Sequence, residues 1–502
     1  MFFINQCESK TGDYLFLYLF LIEIKIVLIK HMNSEQIHHY FNELAKTRVR
    51  YRKTKAYYWD TLTRYSDYFL QDDCSVLEIG CGTGELLANV KGKRKVGIDF
   101  SALMIDEAKK QYPNLELHVM DAANITLDEK FDVIIISNLI GWLLDISKCF
   151  NEIKKVCHPH TRIIITSYNY LWEPLIKLGE NIGIKKKTPY QNWLTRSDII
   201  NILKLEDFDV YRHNRNMLIP FNIPIISFIF NRYLSKVPIF NFFALNQYIF
   251  ARPDISIFKE KFEYSTSVVI PARNESGNIE NAVLRLPDFG KHVEIIFVEG
   301  NSTDDTWEKI KEIQEKYKDK RDIKIIKQDG KGKADAVRKG FDIATGDILM
   351  ILDADLTVPP EDIPKFYEAM ATGKAEFING SRLVYPMEKH AMRFLNIIGN
   401  KFFSNAFSWV LEQPIKDTLC GTKVIFRKDY LRLISNRKFF GDFDPFGDFD
   451  LLFGAYKLNL KIIDLPIRYQ ERTYGSTNIS RFKHGIILLK MWFYAVGKIK
   501  FW

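Results

Sequence analysis

From about Ser75 the chain alternates short apolar runs with amphipathic stretches: CSVLEIG, KVGID, LELHVMD and FDVIIIS, separated by segments of helical spacing. Short apolar runs bounded by turns read as buried strands, and their alternation with helices predicts an α/β domain around a parallel sheet. A second series begins near Ser267 with SVVIPA, VEIIFVEG, DIKIIKQ and DILMILDAD, and a helix is predicted over Thr306–Tyr317 between two of these strands. The architecture recurs, but the residues at the strand ends differ, and the sequence carries no internal repeat. Tyr248–Arg252 closes the first series and Pro253–Glu263 reads as a charged connector. The first domain is therefore placed at 32–252, a linker at 253–262 and a second domain at 263–482, with an apolar and basic helix over 483–502.

At 502 residues the chain exceeds what one hydrophobic core organises. A composition of 47% hydrophobic and 26% charged residues is that of a folded protein and excludes a disordered or fibrous chain. Lys+Arg exceed Asp+Glu by 71 to 62, and the resulting +9 suits anionic ligands or a membrane surface. It falls short of a nucleic-acid footprint, so no nucleic-acid partner is expected. Six cysteines (Cys7, Cys74, Cys81, Cys149, Cys157, Cys420) form no CxxC pair, which points to a reducing, cytoplasmic compartment and away from zinc. Tyr14–Ile29 is apolar apart from Glu23 and Lys25. A central charge costs about 2.5–3.5 kcal/mol in a membrane span, so residues 1–31 read as a dispensable N-terminal extension and not as an anchor.

The first chemical signal is Gly80-Cys81-Gly82-Thr83-Gly84 between a strand and a helix starting near Glu85. Glycines there let a ligand approach the turn and the helix N-terminus. Asp99 ends the next strand, where a carboxylate can take both ribose hydroxyls, and Asp121 ends a third, where it could face an adenine amino group. A dinucleotide site is the rival reading, but it wants G-x-G-x-x-G, and here Glu85 occupies the sixth place. The pattern LEIGCGTG, with GIDFS and MDA downstream, resembles class I methyltransferases over roughly residues 45 to 252. The resemblance implies a Rossmann-like fold, with Glu78, Gly80, Gly82 and Asp99 binding S-adenosylmethionine and Asp121 beside its adenine. His158 and His160 stand where that family has a glycine-rich turn, and a loop-capping role is expected of them. Met217–Phe243 is apolar and interrupted by Pro220, Pro224 and Pro238, where such enzymes build an acceptor cap. It reads as a packed cap or a lipid-touching surface, and the prolines favour the cap.

The second domain opens with Pro271-Ala272-Arg273-Asn274-Glu275 after its first strand, followed by Glu299-Gly300-Asn301-Ser302-Thr303-Asp304-Asp305 after its second. Gly330-Lys331-Gly332-Lys333 then opens a helix where a diphosphate could lie. Asp353 and Asp355, in LDAD at the end of an apolar strand, offer oxygen ligands to a hard cation such as Mg²⁺ or Mn²⁺. A lone DxD means little, but after GKGKADAVRKGFDIATGD it is specific. This order resembles the family 2 glycosyltransferases of GT-A fold, in their dolichol-phosphate-mannose synthase-like branch, over about residues 264 to 482.

The resemblance implies donor contacts from Pro271, Arg273, Glu275, Glu299 and Asp353, phosphate contacts near Lys331 and Lys333, and a metal on Asp353 and Asp355. Glu299 departs from the family's usual aspartate. Asp417-Thr418-Leu419-Cys420-Gly421 resembles an acceptor-side motif, and by its spacing to Leu451-Leu452, Asp450 fits a general base, with Asp448 second. Arg472 belongs to a segment resembling R-x-x-G-x-S-K, in which Asn478 replaces the lysine. The acceptor reads as a polyprenyl phosphate or a glycan hydroxyl, and the apolar Gly485–Val496 suits peripheral attachment to the inner face of the membrane. The whole reads as a bifunctional α/β transferase using a nucleotide sugar and S-adenosylmethionine. The alternatives are that one half, more readily the first, is a non-catalytic binding module, or that the second half only hydrolyses nucleotide sugars.

Overall fold

The computed structural model describes residues 34–53, 56–183, 185, 187–188, 191–258, 262–382, 394–418, 420–435, 448–470, 474 and 481–501, with side chains at 49–53, 394–398, 448 and 481–484 not among them. The extension at 1–31, Arg472 and Asn478 therefore lie outside the described residues, as does the side chain of Asp448.

Two seven-stranded sheets follow one another along the chain. The first has the order β3-β2-β1-β4-β5-β7-β6. Its strands are β1 (Ser75–Ile79), β2 (Arg94–Asp99), β3 (Glu116–Val119), β4 (Val133–Ser137), β5 (Arg162–Tyr168), β6 (Phe208–Asn216) and β7 (Asn246–Pro253). The second has the order β10-β9-β8-β11-β13-β12-β14. It contains β8 (Ser265–Ala272), β9 (His292–Glu299), β10 (Asp322–Lys327), β11 (Ile348–Ile351), β12 (Phe377–Ser381), β13 (Lys423–Phe426) and β14 (Ile462–Pro466). The expectation of parallel sheets needs correction: β7 runs antiparallel to β5 and β6, and β13 antiparallel to β11 and β12. Strands buried on both faces read as the same apolar run whichever way they point, so direction is invisible to periodicity.

In each sheet the central strands carry the chemistry because their carboxyl ends meet where the strand order reverses, β1 beside β4 and β8 beside β11. Helices such as Ala102–Gln111, capped by Ser101 Oγ on Met104 N, and Thr306–Tyr317 cover the faces.

The two sheets do not stand apart. One hydrophobic core runs from Leu62, Phe69 and Phe250 to Phe407, Phe449 and Tyr456. Arg212 of β6 is fully buried at this junction, its guanidinium 4.0 Å from the Phe69 ring, 3.7 Å from Phe250 and 5.0 Å from Tyr456, with Glu412 Oε2 at 3.8 Å. Such a burial is tolerable only when rings and a carboxylate replace the lost water. Beside it, Glu376 receives Arg162 Nη2 at 2.5 Å and faces Arg252 Nη1 at 3.5 Å, so a residue leading into β12 binds strands β5 and β7.

The segment from Met217 to Phe243 forms the short helices Ile226–Arg232 and Pro238–Asn241. Contrary to the packed-cap expectation, its large apolar side chains are mostly exposed, Ile225 and Ile239 at 74% each. The C-terminal helix spans Arg481–Ala495 and continues as a wider turn over Val496–Lys500.

Candidate functional sites

The first site lies across the carboxyl ends of β1, β2 and β3. Gly80 takes φ +75° and Gly82 φ +53°, conformations that side chains resist. Gly80 N donates to Ile98 O at 2.8 Å, and Gly82 N donates to Asp99 Oδ2 at 2.9 Å. Asp99 Oδ1 accepts from Ser101 N at 2.9 Å, so this carboxylate pins the glycine turn to the next helix. Glu78 lies within β1 and accepts from Leu87 N at 3.1 Å. Burial pushes the Glu78 carboxyl up to about 8 and raises Asp99 in the same direction, while backbone donors and Arg48 oppose the shift. Glu78, Gly80, Gly82 and Asp99 are thus brought together. Asp121 sits two residues beyond β3, exposed, with Oδ1 accepting from Ala123 N at 2.8 Å.

Sequence reasoning missed what covers this site. Helix Ser34–Lys53 brings Arg48 over the turn, where a Cβ on Gly82 would stand 3.3 Å from the guanidinium carbon. The same helix supplies Phe41, 5.5 Å from Phe100 and 5.1 Å from Trp142, and Tyr40, stacked on Trp142 at 5.6 Å. Phe100 directly follows Asp99, which was the only local hint. On the β4 side, Asn138 (φ +53°) donates Nδ2 to Tyr58 OH at 3.0 Å, and Tyr58 donates to Asn246 Oδ1 at 3.2 Å. His158 contacts Asp132 Oδ1 at 3.1 Å and its backbone N donates to Thr161 Oγ1 at 2.8 Å, while His160 N donates to His158 Nδ1 at 3.1 Å. Both histidines are tied into that loop.

The second site spans the carboxyl ends of β8, β9 and β11. Asn274, at φ +56°, accepts from Thr303 N through Oδ1 at 2.8 Å and so links the β8 loop to the β9 loop. Glu275 is buried and accepts Asn278 Nδ2 at 2.7 Å, and Glu299, also buried, accepts Ser302 N at 2.5 Å. Pro271 is half-buried, and Arg273 and Lys331 are exposed. Lys333 opens helix Lys333–Ile343 and places Nζ 2.5 Å from Asp353 Oδ1. Burial would raise Asp353, but this ammonium overcomes it and holds the carboxyl below its ordinary value. A Cβ on Gly421 would collide with both Lys333 Nζ and Asp353 Oδ2, so three separate segments close on one point. Asp355 Oδ1 accepts from Thr357 N at 3.1 Å and Thr357 Oγ1 at 2.8 Å.

Asp417 is completely buried and bidentate with Arg382, Nε to Oδ2 at 2.7 Å and Nη2 to Oδ1 at 2.8 Å, and it also accepts Asn400 Nδ2 at 3.0 Å. Burial opposes its charge, but Arg382 prevails and keeps the carboxyl at about 2. Asp450 lies on helix Asp448–Lys457 close enough to Tyr494 of the C-terminal helix to add to the upward push that burial gives that phenol. The chain after β14 crosses this site: Gln470 N donates to Thr357 O at 2.9 Å, and Tyr474 packs on Gly277, its hydroxyl 3.3 Å from Ser276 Oγ. Arg382, Asn400 and Tyr474 had no signal in the motifs.

Residues 70–207 match the family model described as methyltransferase domain, and residues 267–434 match glycosyl transferase family 2. The chain carries these two domains in that order. It is 41% identical over 121 residues to a dolichol-phosphate mannosyltransferase of Pyrococcus furiosus, covering 24% of this chain and 33% of that protein. It is 26% identical over 228 residues to glycosyltransferase AglJ of Haloferax volcanii, covering 45% of this chain and 70% of the relative. A putative methyltransferase 235L of Invertebrate iridescent virus 6 is 30% identical over 95 residues, covering 18% of this chain and 36% of that protein. The chain thus spans about a third of the length of the Pyrococcus relative that it matches.

Proposed function

We propose that the chain is a bifunctional transferase: an inverting glycosyltransferase that moves a sugar from a nucleotide to a polyprenyl phosphate, and a methyltransferase acting on the same glycolipid pathway. The methyltransferase occupies 32–252, joined through 253–262 to the glycosyltransferase at 263–482 and the helix at 483–502. The observation that carries the reading is the meeting of Lys333, Asp353 and Gly421, with Asp355 two residues on. Both family matches, one in each half, weigh against a non-catalytic half.

In the second domain the donor set suits Mg²⁺ or Mn²⁺. Asp353 and Asp355 would hold it, and Lys333 already supplies positive charge to Asp353. When bound, the cation neutralises the departing diphosphate. Pro271, Arg273, Glu275 and Glu299 bound the nucleoside side, while Lys331 and Lys333 take the phosphates. An acceptor phosphate oxygen, already anionic, attacks the anomeric carbon opposite the diphosphate and needs no base. Asp417 acts as a positioning residue that fixes Arg382, whose guanidinium stands 5.3 Å from the Tyr469 ring on the acceptor side. Were the acceptor a glycan hydroxyl, Asp450 would be the base, with Asp448 second and Arg472 a further acceptor contact.

In the first domain the positive-φ glycines, Asp99 and Glu78 fit S-adenosylmethionine, with Asp121 toward its adenine and Arg48 toward its carboxylate. S-adenosylmethionine, when bound, supplies an electrophilic methyl group. The chain's own residues orient the acceptor and exclude water, and Asn138 and Tyr58 mark the acceptor side. The site of action is the cytoplasmic face of a membrane.

The test is incorporation of radiolabelled sugar from a panel of nucleotide sugars into lipid extract, with Mg²⁺ or Mn²⁺ and with Asp353→Asn and Asp355→Asn. Metal-dependent lipid label that both substitutions abolish supports the reading. Label that survives both, or sugar released to water without any acceptor, overturns it.

A further inference from the structure

The first domain exposes a run of large apolar side chains. Ile225 and Ile239 are each 74% exposed, Phe228 52% and Phe243 56%, all within one segment. Ile225 also holds φ +66°, a left-handed conformation that a β-branched side chain resists. Contiguous exposed apolar surface of this kind marks an interaction site. Its occupant must accept oily side chains and positive charge together. Residues 217–243 contain no Asp or Glu and present Arg232, exposed, while Lys236 is turned inward, its Nζ donating to Asn216 Oδ1 at 3.1 Å.

The same composition continues across the junction. Trp409 donates Nε1 to Lys236 O at 3.0 Å and lies 6.1 Å from Trp492, and Tyr233 meets Phe501 at 5.1 Å, so the segment adjoins the C-terminal helix. That helix presents Ile486 and Phe493, 56% and 65% exposed and seven residues apart on one helical face. Residues 481–502 again hold no carboxylate, and Lys490 and Lys498 are exposed. Among the described residues no helix is long and apolar enough to cross a membrane. Aliphatic and aromatic side chains with exposed cations, in two segments that contribute no acid of their own, suit an anionic bilayer surface, which such a face enters to the depth of the headgroups.

We propose that residues 221–243 of the methyltransferase domain form a membrane-docking face for anionic lipid, continuous with the C-terminal helix of the glycosyltransferase domain. Both transferases then work on one leaflet, and the methyl acceptor reaches the first site from the bilayer as a lipid-linked molecule. That consequence rests on the transferase reading, whereas the docking does not.

The test uses the full chain in flotation with phosphatidylcholine vesicles, with and without phosphatidylglycerol, and without either substrate, so its failure would leave the transferase assignment standing. The intact protein is expected to float with phosphatidylglycerol vesicles, with binding weakened but not abolished by salt. The double substitution Ile225→Asp/Ile239→Asp, at side chains each 74% exposed, should lower partitioning by about tenfold or more with unchanged circular dichroism and thermal midpoint. Phe493→Asp should weaken it independently. Unchanged partitioning of the double variant would overturn the proposal. So would a dimer in sedimentation that the double variant converts to monomer, since a second copy would then be the occupant. So too would failure of the intact chain to float, with the face covered by another segment of the chain.

Discussion

Replacing Glu376 by glutamine tests the claim that the two sheets are one cooperative structure. Glu376 is 5% exposed and holds Arg162 of β5 and Arg252 of β7, while its Oε2 accepts Lys461 N at 2.9 Å. Burial would raise this carboxyl, but the two guanidinium groups outweigh it and hold it at about 2, against an ordinary 4.5. The gap between 4.5 and about 2, at roughly 1.4 kcal/mol per pH unit, corresponds to about 3–4 kcal/mol of stabilisation by the ionised form. That agrees with the roughly 3–5 kcal/mol cost of breaking a buried pair. Because the folded value is depressed, the contribution is complete above pH 4.5 and is lost as pH falls from 4.5 through about 2. Urea unfolding at neutral pH, followed by tryptophan fluorescence and far-ultraviolet circular dichroism, should show Glu376→Gln less stable by about 3 kcal/mol, with both probes moving together. Between pH 4.5 and 2 the variant should lose less stability than the parent. Equal stabilities at pH 7, or a transition that shifts in one probe only, would refute a shared core.

Three further outcomes follow from the sites. Glu78 has its folded value raised from 4.5 to about 8, so its favourable contribution is whole below 4.5 and lost as pH rises through 8. Glu78→Gln should therefore make the ligand-free chain more stable than the parent by about 3–5 kcal/mol above pH 8, while weakening S-adenosylmethionine binding in calorimetry. Arg48→Met should raise KM for S-adenosylmethionine about tenfold, the loss of roughly one charge-assisted contact, with kcat changed less. Gly421→Ala should cut sugar transfer by about a hundredfold or more, because its methyl must displace Lys333 or Asp353, and circular dichroism should show the fold retained.

The parts of the sites legible in sequence are those that a strand and its following turn place by themselves. LEIGCGTG and LDAD need only a strand end and glycine turns, and the structure puts Asp99 against Gly82 and Lys333 against Asp353. Arg48, Phe41 and Trp142 come from helices or loops whose own patterns are ordinary, and only tertiary packing brings Arg48 to Gly82 and Phe41 to Phe100 and Trp142. Arg382 could not be found for the same reason: its meaning lies in Asp417, thirty-five residues away. Arg212 sits in YRHNRN, which reads as a half-exposed strand, and its burial is created by Phe69 and by Tyr456 from the other half of the chain. The prolines of 217–243 correctly excluded a spanning helix, but they do not say which side of the cap faces out.

The most direct test of the central claim is one reaction containing the intact protein, a nucleotide sugar with labelled sugar, S-adenosylmethionine with a differently labelled methyl group, Mg²⁺ or Mn²⁺, and membrane lipid extract. The account predicts that both labels enter the lipid fraction, that Asp353→Asn removes the sugar label, and that Asp99→Asn removes the methyl label while sugar transfer persists. If the methyl label never enters any lipid or glycan fraction under conditions where sugar transfer proceeds, the bifunctional account is contradicted.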